Sequence, residues 1–272
     1  MKIKRVHIGI LLGIIALAVV PLVASASHSW NGYHWARTSN PFTLKLGDNV
    51  SSTWDPYLAA ASSDWSTPPV SVTATDVLDT TVVSGKAKGA CAVVTSGRVE
   101  VCNKAYGNNG WLGVAGVFVS DSHITAGYVK LNDTYFKTAK YNTPAWRQFV
   151  TCQEIGHTLG LDHQDEAFDN PNLGTCMDYT NDPSRNDGLG DNLHPNAHDY
   201  EELGLIYSHL DPSTTLSAGV PSAAAAAAAS DKPADNDFGV PTGRKDPKGR
   251  DILFVKDLGG GARQFTWVIW AD

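Results

Sequence analysis

Positive charge is in short supply in this chain of 272 residues: 21 Lys and Arg stand against 28 Asp and Glu, a net charge of −7. Charged residues of either sign make up only 18%. That balance gives no electrostatic basis for binding nucleic acid or an anionic membrane surface. Long apolar runs are scarce as well. One, Ile8 to Ala24, stands near the N-terminus, and no later stretch is long enough to cross a membrane. Cysteine is limited to four residues, Cys91, Cys102, Cys152 and Cys176. What is plentiful is apolar residue, 42%, enough for a packed core in one domain of ordinary size with extras.

The apolar run reads as a secretory signal over residues 1–26. Lys2, Lys4 and Arg5 form its basic start, and Ala24-Ser25-Ala26 is an A-x-A cleavage pattern. The expectation is a secreted protein with no membrane attachment once the signal is removed; an uncleaved anchor is the competing reading. All four cysteines follow the signal, and an even count in an exported chain points to disulfides. Three pairings are open. Cys91 and Cys102 are symmetric about Ser96-Gly97, as in a two-residue hairpin over Ala90–Cys102, which leaves Cys152 with Cys176.

Between residues 27 and 216 the pattern alternates between strand and helix. Ser27 to Asn40 is aromatic and polar, and His28 and His34 there are read as packing residues, not ligands. Phe42 to Leu46 alternates as a strand. Trp54, Tyr57, Leu58, Ala61 and Trp65 have helical spacing. Val70 to Val77 reads as a second strand, extended by Val82 and Val83. Trp111 to Phe118 reads as a buried strand and His123 to Asn132 as another. Thr143-Pro144 opens a long helix, with Thr143 as cap. Pro195 to His209 is a last helix. His194 and His198 flank its start and are read as capping and surface residues.

The chemistry concentrates in Gln153-Glu154-Ile155-Gly156-His157-Thr158-Leu159-Gly160-Leu161-Asp162-His163. On a helix Gln153 and His157 share a face. Gly160 accepts the left-handed conformation that ends a helix, so His163 can swing back toward His157. This stretch resembles the zinc signature of the metzincin metalloproteases, H-E-x-x-H-x-x-G-x-x-H, through Glu154, His157, Gly160 and His163. One position departs, Gln153 standing where the first histidine belongs. Thr175-Cys176-Met177-Asp178-Tyr179 resembles the Met-turn of the same clan.

The resemblance, nearest to matrixin-like bacterial members, covers about Phe42 to Leu210. It implies an α+β fold, a twisted and mostly parallel mixed sheet on long helices. It implies an exported endopeptidase acting on protein or peptide substrates, with one catalytic zinc. Gln153, His157 and His163 would be the ligands, Glu154 the general base, Met177 an apolar floor, and Tyr179 a second catalytic residue near the developing oxyanion. His123 to Leu131 would be the edge strand along which a peptide adds. The pairing Cys152–Cys176 would tie the helix to the Met-turn.

Zinc prefers nitrogen or sulfur to an amide oxygen, so Gln153 lowers the expected affinity. Three readings follow: a working site with Gln153 as weak third ligand, a two-histidine site completed by water or Tyr179, and a catalytically silent peptide-binding module. Hydrolysis of a non-peptide substrate is a further alternative. Asp178 to Asn192 carries seven Asp or Asn residues, open to calcium binding or to a solvated loop. Residues 217–236 form a linker with seven consecutive alanines, Ala223 to Ala229. Residues 237–272 read as a small β-hairpin tail that pairs with itself or docks on the main domain.

Overall fold

The computed structural model describes residues 27–66, 76–86, 94–168, 170–216 and 237–272. The expected signal, most of the expected strand 70–77, Cys91 with its proposed bond to Cys102, and the linker 217–236 lie outside the described residues. The elements are β1 (His34–Trp35), β2 (Phe42–Asn49), α1 (Asp55–Ser66), β3 (Leu78–Ser84), β4 (Arg98–Lys104), β5 (Trp111–Ser120), β6 (His123–Asn132), α2 (Pro144–Thr158), α3 (Ala197–Ile206), β7 (Val240–Pro241), β8 (Leu253–Gly259) and β9 (Ala262–Trp270). None of the described helices is long and apolar enough to cross a membrane.

The fold is mixed α/β, with the strands in one nine-stranded mixed sheet, ordered β3-β2-β4-β6-β5-β9-β8-β7, and β1 beside β6. It is parallel from β3 to β6. From β6 onward every pairing is antiparallel, so the expectation of a mostly parallel sheet holds for only half of it. Strand β2 shows the period of two, with Phe42, Leu44 and Leu46 buried and Thr43 and Lys45 exposed. Strand β5 is buried almost throughout because both of its faces are covered. Leu112 and Val117 enter the main core, while Trp111, Val114 and Phe118 enter a second cluster.

Three expectations are corrected. Strand β6 is not an edge: β4 lies on one side of it and β5 on the other, because Asp121, at φ 54°, turns the chain back along it. The hairpin over Ala90–Cys102 does not form about β4, since β2 and β6 already take both edges of Val99–Cys102. The C-terminal residues are not a separate tail. Strand β9 pairs with β5 over nearly its whole length, Ala115 opposite Trp267 and Gly113 opposite Ile269. Its residues Phe265, Trp267 and Ile269 join the main core.

Helix α2 lies against the sheet and is the element that carries the candidate site residues Gln153, Glu154 and His157. The Thr143 hydroxyl accepts from Trp146 N at 3.2 Å, and Pro144 fills the first turn. Every residue of α2 from Gln148 to Thr158 is buried. Trp65 of α1 donates its indole N–H to Cys152 O at 3.1 Å, which fixes α1 across α2. The N-terminal segment crosses the end of α2: Trp30 N donates to Gly160 O at 3.3 Å, and the Trp35 indole to Thr158 O at 2.9 Å.

Candidate metal centre

Helix α2 ends where the sequence pattern places its end. Gly160 has φ 104°, a conformation that strains other residues, and the chain turns there toward His163. The turn brings His157 Nε2 to 3.1 Å from His163 Nε2. His157 Nδ1 lies 2.9 Å from Leu161 O. A carbonyl only accepts, so Nδ1 carries the proton and Nε2 keeps its lone pair, the ligating tautomer. Burial, first, and the neighbouring His163, second, hold the His157 pKa well below the usual histidine range, so the ring stays neutral.

The turn Thr175–Tyr179 is fixed against the same helix. Cys152 and Cys176 are disulfide-bonded with Cα atoms 5.9 Å apart, which joins α2 to the turn. A side chain at Gly156 would put its Cβ 2.4 Å from the Met177 sulfur, so only glycine lets that sulfur lie against α2. Gln164 N donates to Met177 O at 2.7 Å and Tyr179 N to Asp165 O at 2.9 Å, so the segment after His163 is paired to the Met-turn.

Gln153 points its amide nitrogen at that turn, donating to Cys176 O at 2.8 Å and Asp178 O at 3.3 Å. Two carbonyl acceptors dictate which end of the amide faces them. The amide oxygen is left buried with no hydrogen-bond partner. Such an orphan acceptor on the face of α2 that carries His157 is what a cation would satisfy. Both carboxylate oxygens of Glu154 are likewise buried and unpartnered. Burial drives the Glu154 pKa well above the usual carboxylate range; the backbone amides of Ala115 and Ile269 lie near enough to pull weakly the other way, but neither meets hydrogen-bond geometry.

Tyr179 stands beside His163, ring centroids 5.1 Å apart, and stacks on Phe168 at 5.2 Å. Its hydroxyl accepts from Trp270 N at 3.1 Å, and burial pushes its pKa up. So His157, His163 and Tyr179 are neighbours, Gln153 lies one turn before His157 on α2, and Met177 lies against the same helix at Gly156.

No known family and no curated protein matches this chain. What can be said of the site therefore rests on its own residues. Ligands about 2.0–2.1 Å from a tetrahedral ion lie about 3.3 Å apart, and the two Nε2 atoms, at 3.1 Å, come close to that spacing. Glu166 Oε1 is 3.8 Å from His163 Nδ1, on the side where a ligating histidine finds its second partner. Asp162, His163 and Glu166 are also grouped closely enough to hold an ion. Both of those carboxylates already bind the Arg244 guanidinium.

Sequence reasoning missed the residues that cover the site. Trp267 of β9 stacks on His157, centroids 5.0 Å apart at 13° between planes. Arg244, ahead of β8, clamps the two carboxylates flanking His163. A signal for the first was present: Phe265-Thr266-Trp267-Val268-Ile269-Trp270 is almost continuously apolar, as in an inner strand covered on both faces, which an isolated exposed hairpin does not need.

Proposed function

We propose that this chain is a zinc-dependent endopeptidase of the metzincin type, exported, with a site held shut by its own C-terminal strand. The observation that carries the reading is the convergence of the His157 and His163 Nε2 atoms at 3.1 Å, on a helix that also buries the Glu154 carboxylate without a hydrogen-bond partner. The order of elements, strand, helix, strands, helix, Met-turn, helix, supports it. His157 and His163 would hold the zinc, with the free oxygen of Gln153 as third donor. Zinc in such a site lowers the pKa of a water to about 7.

The chain's own groups then have defined work. Glu154, in a dry setting, takes a proton from the attacking water and passes it to the leaving amine. A raised pKa suits the second half of that task, because the acid form must donate near neutral pH. Tyr179, adjacent to His163, offers its hydroxyl to the oxygen of the cleaved carbonyl. An extended peptide would pair along β5, in the place β9 now occupies. With β9 paired there and Trp267 on His157, the site residues are shut from solvent. Access requires β9 to leave β5.

A second reading, the catalytically silent peptide-binding module, is favoured by the hydrogen bonds that tie Gln153 to the Met-turn and by the complete burial of Glu154. Zinc content and cleavage of unfolded casein separate the two. The protease reading expects about one zinc per chain that depends on His163, and cleavage that Glu154→Ala abolishes. Folded protein that binds peptide but neither zinc at His163 nor cleaves favours the module.

A further inference from the structure

A second cluster of ligating side chains lies apart from the centre just described and shares no residue with it. His34 of β1 is in register with His123 at the start of β6. His209 and Asp211 follow α3. Asp211 Oδ1 is 3.1 Å from His123 Nε2, 3.4 Å from His34 Nε2 and 3.7 Å from His209 Nε2. His34 Nε2 and His209 Nε2 are 3.1 Å apart. We propose that His34, His123, His209 and Asp211 bind a structural zinc ion.

The separations are the first argument. Donor atoms on a tetrahedral zinc with bonds of about 2.0–2.2 Å lie about 3.3 Å from one another. The contacts of His34 and Asp211 fall on either side of that value. Tautomer is the second argument. His34 Nδ1 is 2.8 Å from Gly32 O, so that nitrogen carries the proton and Nε2 presents a lone pair. A lone pair facing a carboxylate oxygen at 3.4 Å repels it, and a cation between them turns the repulsion into two bonds.

The supporting shell is built as metal sites build it. Asp211 Oδ2 accepts from Arg37 Nη1 at 2.9 Å and from Arg37 N at 3.2 Å, which leaves Oδ1 free for the cluster. Arg37 is held in turn by Tyr207 O at 2.7 Å and Asn40 Oδ1 at 3.2 Å. His34 and Asp211 side chains are 6% exposed, while His123 and His209 are 31% and 53% exposed, so the cluster has a rigid floor and an open entrance. Three imidazoles and one carboxylate suit zinc among the common divalent ions. The ligand atoms of His34, His123 and Asp211 already lie within 4.8 Å of one another, and the exposed His209 ring, 3.1 Å from His34, would shift toward His123 to complete the four. That leaves no open position, the pattern of a structural site.

Its role follows from what it joins. The N-terminal segment, which crosses the end of α2, and the segment after α3 would both be tied to the sheet at β6. Metal-stripped whole chain is titrated with ZnCl2, and bound zinc and thermal midpoint are read for the wild type, His123→Ala and His209→Ala. Both substituted side chains reach solvent, and circular dichroism checks that each variant folds. The wild type should bind one zinc more per chain than either variant, or bind it roughly 10- to 100-fold more tightly, at least the cost of losing a supporting partner. Its midpoint should rise with ZnCl2 and theirs should not rise as far. Folded variants that match the wild type in zinc stoichiometry, affinity and midpoint shift overturn the proposal, as does a wild type that binds no zinc.

Discussion

The indole of Trp267 lies almost flat on the imidazole of His157, 13° between planes, although 110 residues separate them in sequence. That contact joins the last strand of the sheet to the centre of the candidate site. It makes β9 both a structural strand and the cover of the candidate site. Trp267→Ala should therefore act twice. It should cost about 3–5 kcal/mol of stability, as large aromatic truncations in cores do, and it should speed hydrogen exchange of the β9 amides. In protein that remains folded, cleavage of a short peptide should rise above the wild-type rate. An unchanged rate with faster exchange in β9 would contradict the view that this strand shuts the site.

Glu154 sets up a trade between stability and activity. Its carboxylate is buried without a partner, a state that costs about 1–3 kcal/mol. Glu154→Gln removes the ionisable group at nearly constant shape. Thermal unfolding should show a midpoint equal to or above that of the wild type. Any cleavage should fall by a factor of about 10² to 10⁴, the usual worth of a positioned base. A less stable Gln variant would mean that the carboxylate has a compensating partner.

Gln153→His makes the opposite trade. It restores a nitrogen ligand and removes the bonds to Cys176 O and Asp178 O. Without metal the variant should be less stable by about 1–2 kcal/mol. With ZnCl2 it should bind more tightly than the wild type, measured by competition with a chelating dye. Weaker binding in the variant would remove Gln153 from the ligand set.

The bond Cys152–Cys176 closes a loop with a sequence separation of 24 and holds the Met-turn to α2. Selective reduction should lower stability by about 3–4 kcal/mol on the loop-entropy estimate. Zinc affinity should fall with it, because Gln164 and Asp165, directly after His163, are paired to the same turn. Retention of full affinity after reduction would show that the hydrogen bonds alone position the ligands.

His194 contributes a pH dependence away from both clusters. Its Nδ1 is 2.8 Å from Asp64 Oδ2, and that hydrogen bond, against partial desolvation, raises its pKa above the usual 6.5. A raised histidine pKa adds stability that is fully present below about pH 6.5 and is lost as pH rises through the folded value. The midpoint difference between wild type and His194→Gln should be larger at pH 5.5 than at pH 8.5. A difference independent of pH would assign the contact no charge.

Local signals were legible in the sequence, and contacts between distant segments were not. Thr143 and Pro144 announce the start of α2, Gly160 its end, and the spacing of His157 and His163 their meeting, because each depends on residues a few positions apart. The neighbours of β6 are not legible in the sequence because strand order depends on which edge a later segment takes, and period-two alternation is silent on that. The apolar run around Trp267 marks an inner strand without saying what it covers, and the cluster at Asp211 is invisible for the same reason. His34, His123 and His209 are single histidines in three separate segments, with no spacing to relate them. In the sequence His34 reads as a packing residue, and its register with His123 is what places it in the cluster.

The most direct test of the central claim is cleavage of unfolded casein by the chain with β9 loosened through Trp267→Ala, read alongside its zinc content, with Glu154→Ala and His163→Ala added in turn. The account predicts zinc-dependent cleavage that Glu154→Ala abolishes without removing zinc, and that His163→Ala abolishes together with one zinc per chain. Folded, zinc-loaded protein that leaves casein intact whether β9 is loosened or not would contradict it.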